Sequence, residues 1–134
     1  MASVFSRIIA GELPARFVYT DDDVVAFLSI APLTVGHTLV VPRAEVDNWQ
    51  TVDPSLWAAV SAVAQRVGRA VDNAFSPARV GTLVAGFEVP HLHVHVFPAW
   101  DMEDFDFRRA QPRPDDVMDD AAERLRAALA GLSD

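Results

Sequence analysis

The chain has 134 residues, 51% of them hydrophobic, no cysteine, and a formal net charge of -8. This length and apolar content predict one folded domain over residues 1–134. The missing cysteines exclude disulfides and thiolate metal sites, and the acidic balance argues against binding to a nucleic-acid polymer. The start lacks the pattern of a signal peptide, and no stretch approaches the about 20 apolar residues that cross a membrane. We therefore expect a cytoplasmic protein with no membrane partner.

The first half of the chain predicts a short amphipathic helix followed by three strands. Gly11 ends the helix, because glycine commonly follows a last helical turn. Apolar stretches on both sides of the acidic turn "DDD" favour a hairpin, and Pro42 ends the third strand. In chain order, these elements are a helix over residues 3–10 and strands over 16–20, 24–30 and 37–42.

The second half begins with the clearest helix of the chain. Asp53 is a good N-cap, Pro54 suits the first helical position, and apolar residues recur every three or four positions to about residue 75. The elements predicted after it are strands over 79–86 and 90–98, an extended acidic, aromatic and proline-rich tail from Ala99, and a closing helix over 115–130. This order, with tight hairpins and no βαβ alternation, favours an antiparallel α+β domain.

The segment "PHLHVHVFP" over residues 90–98 holds three of the four histidines at alternate positions. Side chains two residues apart on a strand project from the same face, so the imidazoles would form a row with a spacing of about 6.5–7 Å. The histidines are His91, His93 and His95, and the intervening residues, which we expect to face apolar packing, are Leu92, Val94 and Val96.

The residues alone leave four interpretations of this row open. It could be a structural strand, although three histidines in strict alternation disfavour that. It could bind a metal ion, since imidazoles two positions apart can share one, but no carboxylate or thiolate stands at an obvious partner spacing. It could bind phosphate without chemistry. Finally, one neutral imidazole, with an ordinary pKa of about 6.5, could attack a phosphoryl group while protonated neighbours offset the charge on its oxygens.

The sequence resembles the histidine-triad (HIT) superfamily. "HLHVHVF" matches the motif His-φ-His-φ-His-φ-φ, where φ is apolar, that names this superfamily. Residues 7–43, "RIIAGELPARFVYTDDDVVAFLSIAPLTVGHTLVVPR", resemble the N-terminal half of the family, and "VAGFEVPHLHVHV" resembles its C-terminal half. The resemblance covers the core, residues 3–98, and leaves the tail and last helix (99–134) outside. It implies a HIT-like α+β fold: an antiparallel five-stranded sheet with one long and two shorter helices, dimerising into a continuous sheet.

The resemblance also implies roles for individual residues. His93 matches the nucleophile that takes up a nucleotidyl group. His91 and His95 match the flanking histidines that contact the α-phosphate and support the nucleophile. His37, in "GHTLVVP", matches a fourth histidine beside the triad. The positions that match the apolar slot for the base, each of which could equally be core, are Val4, Phe5, Ile8, Ile30 and Leu39.

Several family positions are changed. Many bacterial members carry a Cys-x-x-Cys pair and a later histidine that together form a structural zinc site. The corresponding residues here are Ser3, Ser6 and Glu45. We therefore predict no structural zinc, and no metal or other cofactor at all.

The substrate side also departs from the family pattern. The ribose-binding aspartate is Ser29 here, and an asparagine expected near Val80 is absent. The usual Gly-Gln-Ser/Thr approach to the triad reads Gly86-Phe87-Glu88. Phe87 cannot donate a hydrogen bond to phosphate. Glu88 is either a solvated loop carboxylate or a replacement general acid for the leaving group.

The resemblance implies a nucleotide hydrolase or nucleotidyl transferase. Such an enzyme would act on the α-phosphate of a purine nucleotide conjugate (a phosphoramidate, an adenylate or a dinucleoside polyphosphate) through a nucleotidyl-His93 intermediate. The departures leave open a nucleotide-binding protein with little or no turnover, or a metal-dependent hydrolase. The partners we expect are a small nucleotide and a second copy of the chain, since the strand over 79–86 and the helix over 56–75 need an apolar partner surface.

Overall fold

The computed structural model describes residues 1–133. Over these residues the chain forms a five-stranded antiparallel sheet with three α-helices, which confirms the predicted fold class. The elements are α1 (Val4–Ile9), β1 (Phe17–Thr20), β2 (Val24–Leu28), β3 (Thr38–Pro42), α2 (Pro54–Phe75), β4 (Arg79–Leu83), β5 (Val94–Ala99) and α3 (Asp115–Ala130). No helix within this part of the chain is long and apolar enough to span a membrane.

The strand order is β1-β2-β3-β5-β4, so β5 lies inside the sheet and β4 forms one edge. β5 pairs antiparallel with β3, and Leu39 lies opposite His95 in this register. This pairing brings the start of β3, with His37 directly before it, next to the histidine segment. Two stretches more than fifty residues apart in sequence thus share one end of the sheet.

The two faces of the sheet are covered unequally. On one face, alternate residues of β2, β3 and β5 pack against α2 and α3 in the main core, whose strand members include Val24, Ala26, Val40, Val94 and Val96. On the other face lies a smaller cluster that includes two residues of α1, and its members are Phe5, Ile8, Val25, Phe27, Leu39 and Val41. Because a six-residue helix covers so little of the sheet, the second face keeps room for the histidines.

Local signals explain why the elements near the histidines start where they do. Ser3 caps α1 by accepting a hydrogen bond from the Ser6 amide, and Asp53 caps α2, as predicted. Gly36 has φ of +105°, and a Cβ there would lie 2.6 Å from the ring of Phe75. Glycine is therefore required at the turn that delivers His37 to the sheet.

Two strand predictions are corrected at their ends. The predicted strand over 90–98 begins only at Val94, so His91 and His93 lie in an irregular segment before β5. In that segment the Leu92 amide donates to the carbonyl of Val46 rather than to a strand. The predicted strand over 79–86 ends at Leu83, because the chain turns away towards Gly86, which has a positive φ.

The segment after β5 is more ordered than an extended tail. It forms two short 3-10 turns, Met102–Phe105 and Phe107–Arg109. The ring of Phe105 packs against Phe97 on the histidine face at 4.8 Å between ring centres, and a Cβ on Gly81 would come within 2.7 Å of it. The prediction missed this docking because the aromatic residues are spaced irregularly along the chain.

Candidate active site

The four histidines form one buried row on the lightly covered face of the sheet. His93 and His95 meet edge to face at 4.9 Å between ring centres, and His95 and His37 lie 5.2 Å apart. The ring of Phe5 contacts both His93, at 4.9 Å, and His91, at 5.8 Å. The row therefore runs from His91 through His93 and His95 to His37, and Phe5 lies along its first half.

Hydrogen bonds fix the tautomers at the far end of the row. The Leu33 amide donates to Nδ1 of His37 at 3.0 Å, so that nitrogen carries no proton in the neutral ring. The proton of His37 is then on Nε2, which lies 2.9 Å from Nδ1 of His95 and donates to it. Neutral His95 consequently carries its own proton on Nε2, where it is available to a ligand.

His93 is held in the tautomer that a nucleophile needs. Its Nδ1–H donates to the backbone carbonyl of His91 at 2.7 Å. The lone pair is therefore on Nε2, which makes no hydrogen bond within residues 1–133. Only 6% of the residue is exposed, so the ring has little freedom to turn away.

His91 uses both ring nitrogens within the protein. Its Nε2–H donates to the carbonyl of Pro42 at 2.8 Å, and its Nδ1 accepts from the hydroxyl of Ser3 at 2.7 Å. The resemblance implies that His91 contacts the α-phosphate, but no ring nitrogen of His91 is left for that contact. In this arrangement His91 contacts His93 through its backbone carbonyl instead.

Ser3, Ser6 and Glu45, which we call the clamp, hold His91 from behind. One carboxylate oxygen of Glu45 accepts from the Ser3 amide at 2.6 Å and from the Ser6 hydroxyl at 2.7 Å. These bonds lower the pKa of Glu45, the Ser3 amide being the largest cause and the Ser6 hydroxyl the next. The Ser6 amide in turn donates to the Ser3 hydroxyl oxygen at 3.0 Å.

The clamp occupies the positions to which the resemblance assigns a structural zinc site. Zinc in proteins takes thiolate, imidazole or carboxylate ligands, whereas two of the groups here are neutral hydroxyls. The lone pair of His91 that would bind a metal already accepts the Ser3 proton. These residues do not fit a structural zinc ion, and hydrogen bonds join α1 to the triad in its place.

Burial sets the charge state of the row. It is the main cause that lowers the pKa of His37 to about 3 and that of His95 to about 4, and neighbouring histidines contribute to both shifts. Burial also lowers the pKa of His93, although the bond to the His91 carbonyl and the carboxylates of Glu88 and Asp47 oppose it. At neutral pH these three rings are neutral. The sequence analysis considered protonated histidines beside the nucleophile, but these rings are not protonated in the resting state.

The residues assigned to the base slot divide into two groups. Phe5, Ile8 and Leu39 are buried together on the histidine face. Val4 and Ile30 are exposed at 41% and 78%, so they are not core residues. Ser29 is half-buried beside this group, and its amide donates to the carbonyl of His37 at 3.0 Å.

A cleft of about 390 Å³ opens beside His93. One wall of the cleft is formed by residues 47–50. The other is formed by residues 84–87, which include Gly86 and Phe87. Glu88 is exposed at the end of the second wall. The sequence analysis missed the first wall, because residues 43–53 have no periodicity or motif that would place them near the triad.

Phe107 is a second residue that the sequence analysis missed. Its ring meets that of His95 at 5.1 Å, edge to face, from the segment after β5. The aromatic composition of the tail was the only available signal. The tail thus reaches the histidine row.

Comparisons with known proteins agree with this geometry. The HIT domain family matches residues 10–102. The protein hit of Bacillus subtilis (strain 168) is 35% identical over 102 residues, which are 72% of this chain and 70% of that protein. The adenylylsulfatase HINT3 of Arabidopsis thaliana is 31% identical over 100 residues, 71% of this chain and 51% of that protein. The crystal structure of a hypothetical histidine triad nucleotide-binding protein, ST2152 from Sulfolobus tokodaii strain7, superposes with a TM-score of 0.84 at 27% identity and covers 94% of this chain and 91% of that one.

Proposed function

The chain belongs to the HIT domain family, and we propose that it hydrolyses or transfers the nucleotidyl group of a purine nucleotide conjugate through a covalent intermediate on His93. The observation that carries this proposal is the tautomer of His93: Nδ1–H bound to the His91 carbonyl and a bare lone pair on Nε2. A neutral imidazole in that state is a competent nucleophile near pH 7.

The reaction has two balanced steps. In the first, Nε2 of His93 attacks the α-phosphorus, an Nε2–P bond forms, and the bond from phosphorus to the leaving group breaks. The leaving group takes the electron pair and a proton from solvent. In the second step water attacks the same phosphorus, the Nε2–P bond breaks, and a nucleoside monophosphate leaves; another acceptor in place of water gives transfer. The Nδ1–H stays on the carbonyl of His91 throughout.

His95 is the group we assign to hydrogen-bond donation to the substrate. Its Nε2–H faces no protein acceptor within residues 1–133, and its ring is next to that of the nucleophile. Glu88, the alternative acid, is exposed and makes no hydrogen bond to the histidine row among the described residues. We therefore place His95 before Glu88 in this role.

The nucleoside is assigned to the lightly covered face. Phe5, Ile8 and Leu39 supply apolar surface there, with exposed Val4 and Ile30 at its edge. Ser29 would meet the ribose, and Gly86 and Phe87 would approach the phosphate. The named activity of the Arabidopsis relative, an adenylylsulfatase, supports a nucleotide conjugate as substrate. The named nucleotide binding of the Sulfolobus relative supports the same ligand class.

A binding protein with little or no turnover is the second candidate. It is favoured by Phe87 and Glu88, which supply no hydrogen-bond donor at the approach to the triad. Rapid-quench kinetics with an adenosine 5′-phosphoramidate separates the two. An enzyme with a covalent intermediate releases about one equivalent of amine per site before the steady state. Binding of AMP without any release of amine would establish the second candidate.

We also propose that the protein acts as a homodimer in the cytoplasm. β4 is an edge strand, and an apolar groove of about 700 Å³ runs between it and α2. The residues lining it include Trp57, Gly68, Val80, Leu83, Val84 and Val96. A second copy would cover this surface and remove the open edge. Light scattering at micromolar concentration should give twice the mass of the chain, and a monomeric mass would refute the dimer.

A further inference from the structure

The cleft beside His93 and the base slot share the nucleophile but no other residue. Phe5 packs against His93 at 4.9 Å and belongs to the slot, while His93 itself lines the cleft. Nε2 of His93 has no partner within residues 1–133, although the residue is only 6% exposed. A phosphate at this nitrogen would therefore lie close to both the apolar slot and the cleft.

The charge of the cleft has one sign. Asp47 lines it, Glu88 follows directly on the lining residue Phe87, and both carboxylates lie close enough to His93 to raise its pKa against the lowering effect of burial. No lysine or arginine lines it. Each carboxylate is exposed, and no arginine forms an ion pair with either within residues 1–133. Their negative charge is available to a ligand.

Two aromatic side chains complete the same cleft. Trp49 is 51% exposed on one wall, and Phe87 is 97% exposed on the other. The ring of Trp49 rests on Trp57 at 5.7 Å, which fixes one of the two walls. Exposed aromatic faces together with carboxylates attract ammonium groups, through the ring quadrupole and through charge.

We propose that this cleft holds the leaving group and that it favours an amine with a second, positively charged group. Phosphate, sulfate and other anionic leaving groups are disfavoured. The substrate class is then a nucleoside 5′-phosphoramidate of a diamine or of an amine with a basic side chain. This inference rests on the proposed function. In the step, the P–N bond breaks as the Nε2–P bond forms, and the departing nitrogen takes the electron pair and a proton from solvent. The distant ammonium group stays between the carboxylates and the aromatic rings.

The test compares three adenosine 5′-phosphoramidates with the same P–N bond. Their amines are alkyl chains of one length that end in an ammonium, a hydroxyl or a carboxylate group. We expect kcat/KM to fall in that order, with a ratio of about tenfold or more between the first and the last at low ionic strength, and a smaller ratio in high salt. Equal kcat/KM values for the three, in an enzyme that turns them over, would overturn the charge selection and leave the proposed function intact.

Matched variants assign the effect to the cleft. In the double variant Asp47→Asn/Glu88→Gln we expect the ratio to collapse to within about twofold, mainly through KM. The control is Asp116→Asn/Glu123→Gln, which makes the same change in net charge at exposed positions of α3, behind the opposite face of the sheet. The control should keep the ratio of the unmodified protein, and an equal collapse in both variants would reduce the effect to net charge and refute a specific site.

Binding measurements separate this inference from the proposed function. Calorimetry of His93→Ala with the same three compounds reports charge preference where no turnover occurs. Tighter binding of the ammonium compound, lost in Asp47→Asn/Glu88→Gln, would support the cleft even if the unmodified protein hydrolysed none of them. Equal affinities in His93→Ala would overturn it.

Discussion

His91 and His95 flank the same nucleophile but are held by opposite kinds of environment. His91 is bound by a hydroxyl and a carbonyl and is backed by the exposed carboxylate of Glu45. His95 is bound by another imidazole, His37, which is itself held by a backbone amide, and no carboxylate hydrogen-bonds to this pair within residues 1–133. The clamp end has its hydrogen-bond donors and acceptors matched within the protein, whereas the other end leaves one N–H free.

This difference shows how two histidines, His91 and His95, perform different tasks. At the clamp end the ring is fixed so that its backbone carbonyl can hold Nδ1–H of His93. At the other end, burial without a counter-charge keeps the pKa of His95 at about 4, so the ring is a neutral N–H donor. We assign orientation of the nucleophile to the first end and hydrogen-bond donation to the substrate to the second.

Replacement of the residue between the two ends should have the largest effect. His93→Ala or His93→Asn removes the nucleophile, and we expect turnover to fall by about 10⁴-fold or more. Nucleotide affinity should stay within roughly tenfold, about 1.4 kcal/mol, because the slot and the other donors remain. Steady-state assays and calorimetry on the same preparation measure both quantities. Turnover close to that of the unmodified protein in either variant would remove His93 from this role.

The buried end of the row should make the fold sensitive to acid. The folded-state pKa values of His37 and His95, about 3 and about 4, lie below the usual value of 6.5. The unfolded chain therefore binds more protons between these values, so stability is present above pH 6.5 and is lost as pH falls. The loss is about 1.4 kcal/mol per pH unit for each histidine.

Urea unfolding between pH 7 and pH 4.5 measures this slope. His37→Gln removes one of the three buried histidines whose pKa values are lowered, and it should reduce the slope measurably below that of the unmodified protein, whatever it does to stability at pH 7. An unchanged slope in this variant would mean that other groups cause the acid sensitivity, and that the two ends of the row do not differ as the pKa values indicate.

The sequence predicted the row but not what holds it. Alternation in "HLHVHVF" was enough to place His93 and His95 on one face, and the resemblance to the HIT family added His37. The bond between Ser3 and His91 joins residues 88 positions apart, and no periodicity signals such a contact. The sequence analysis missed Trp49 for the same reason. Its place beside His93 depends on how a loop packs and not on a repeating pattern.

The hydrogen bond from Ser3 should have a moderate effect on catalysis. In Ser3→Ala the Nδ1 of His91 loses its donor, the carbonyl that holds His93 is less well placed, and we expect kcat to fall by about tenfold with little change in nucleotide affinity. Lost capping of α1 also costs about 1 kcal/mol of stability, so stability alone does not test the idea.

Two further variants separate orientation from capping. Ser3→Thr keeps a hydroxyl at the same position and should restore most of kcat. Ser6→Ala removes the bond to Glu45 while keeping the one between Ser3 and His91, and it should leave kcat within about twofold. A loss in Ser6→Ala as large as that in Ser3→Ala would mean that the clamp acts through the stability of α1 rather than through His91.

Glu45→Gln should have the smallest effect, and it decides whether the clamp works by geometry or by charge. The side-chain amide oxygen can still accept from the Ser3 amide and the Ser6 hydroxyl, whose bonds to Glu45 are 2.6 and 2.7 Å long. Glu45 is exposed, so water and salt screen its charge, and removing that charge should change kcat/KM by no more than about twofold. Glu45→Ala removes both acceptors and should resemble a mild form of Ser3→Ala. If Glu45→Gln is as damaging as Glu45→Ala, and if the loss of activity grows as salt is lowered, the negative charge itself supports His91. The clamp end would then depend on a counter-charge that the His95 end lacks.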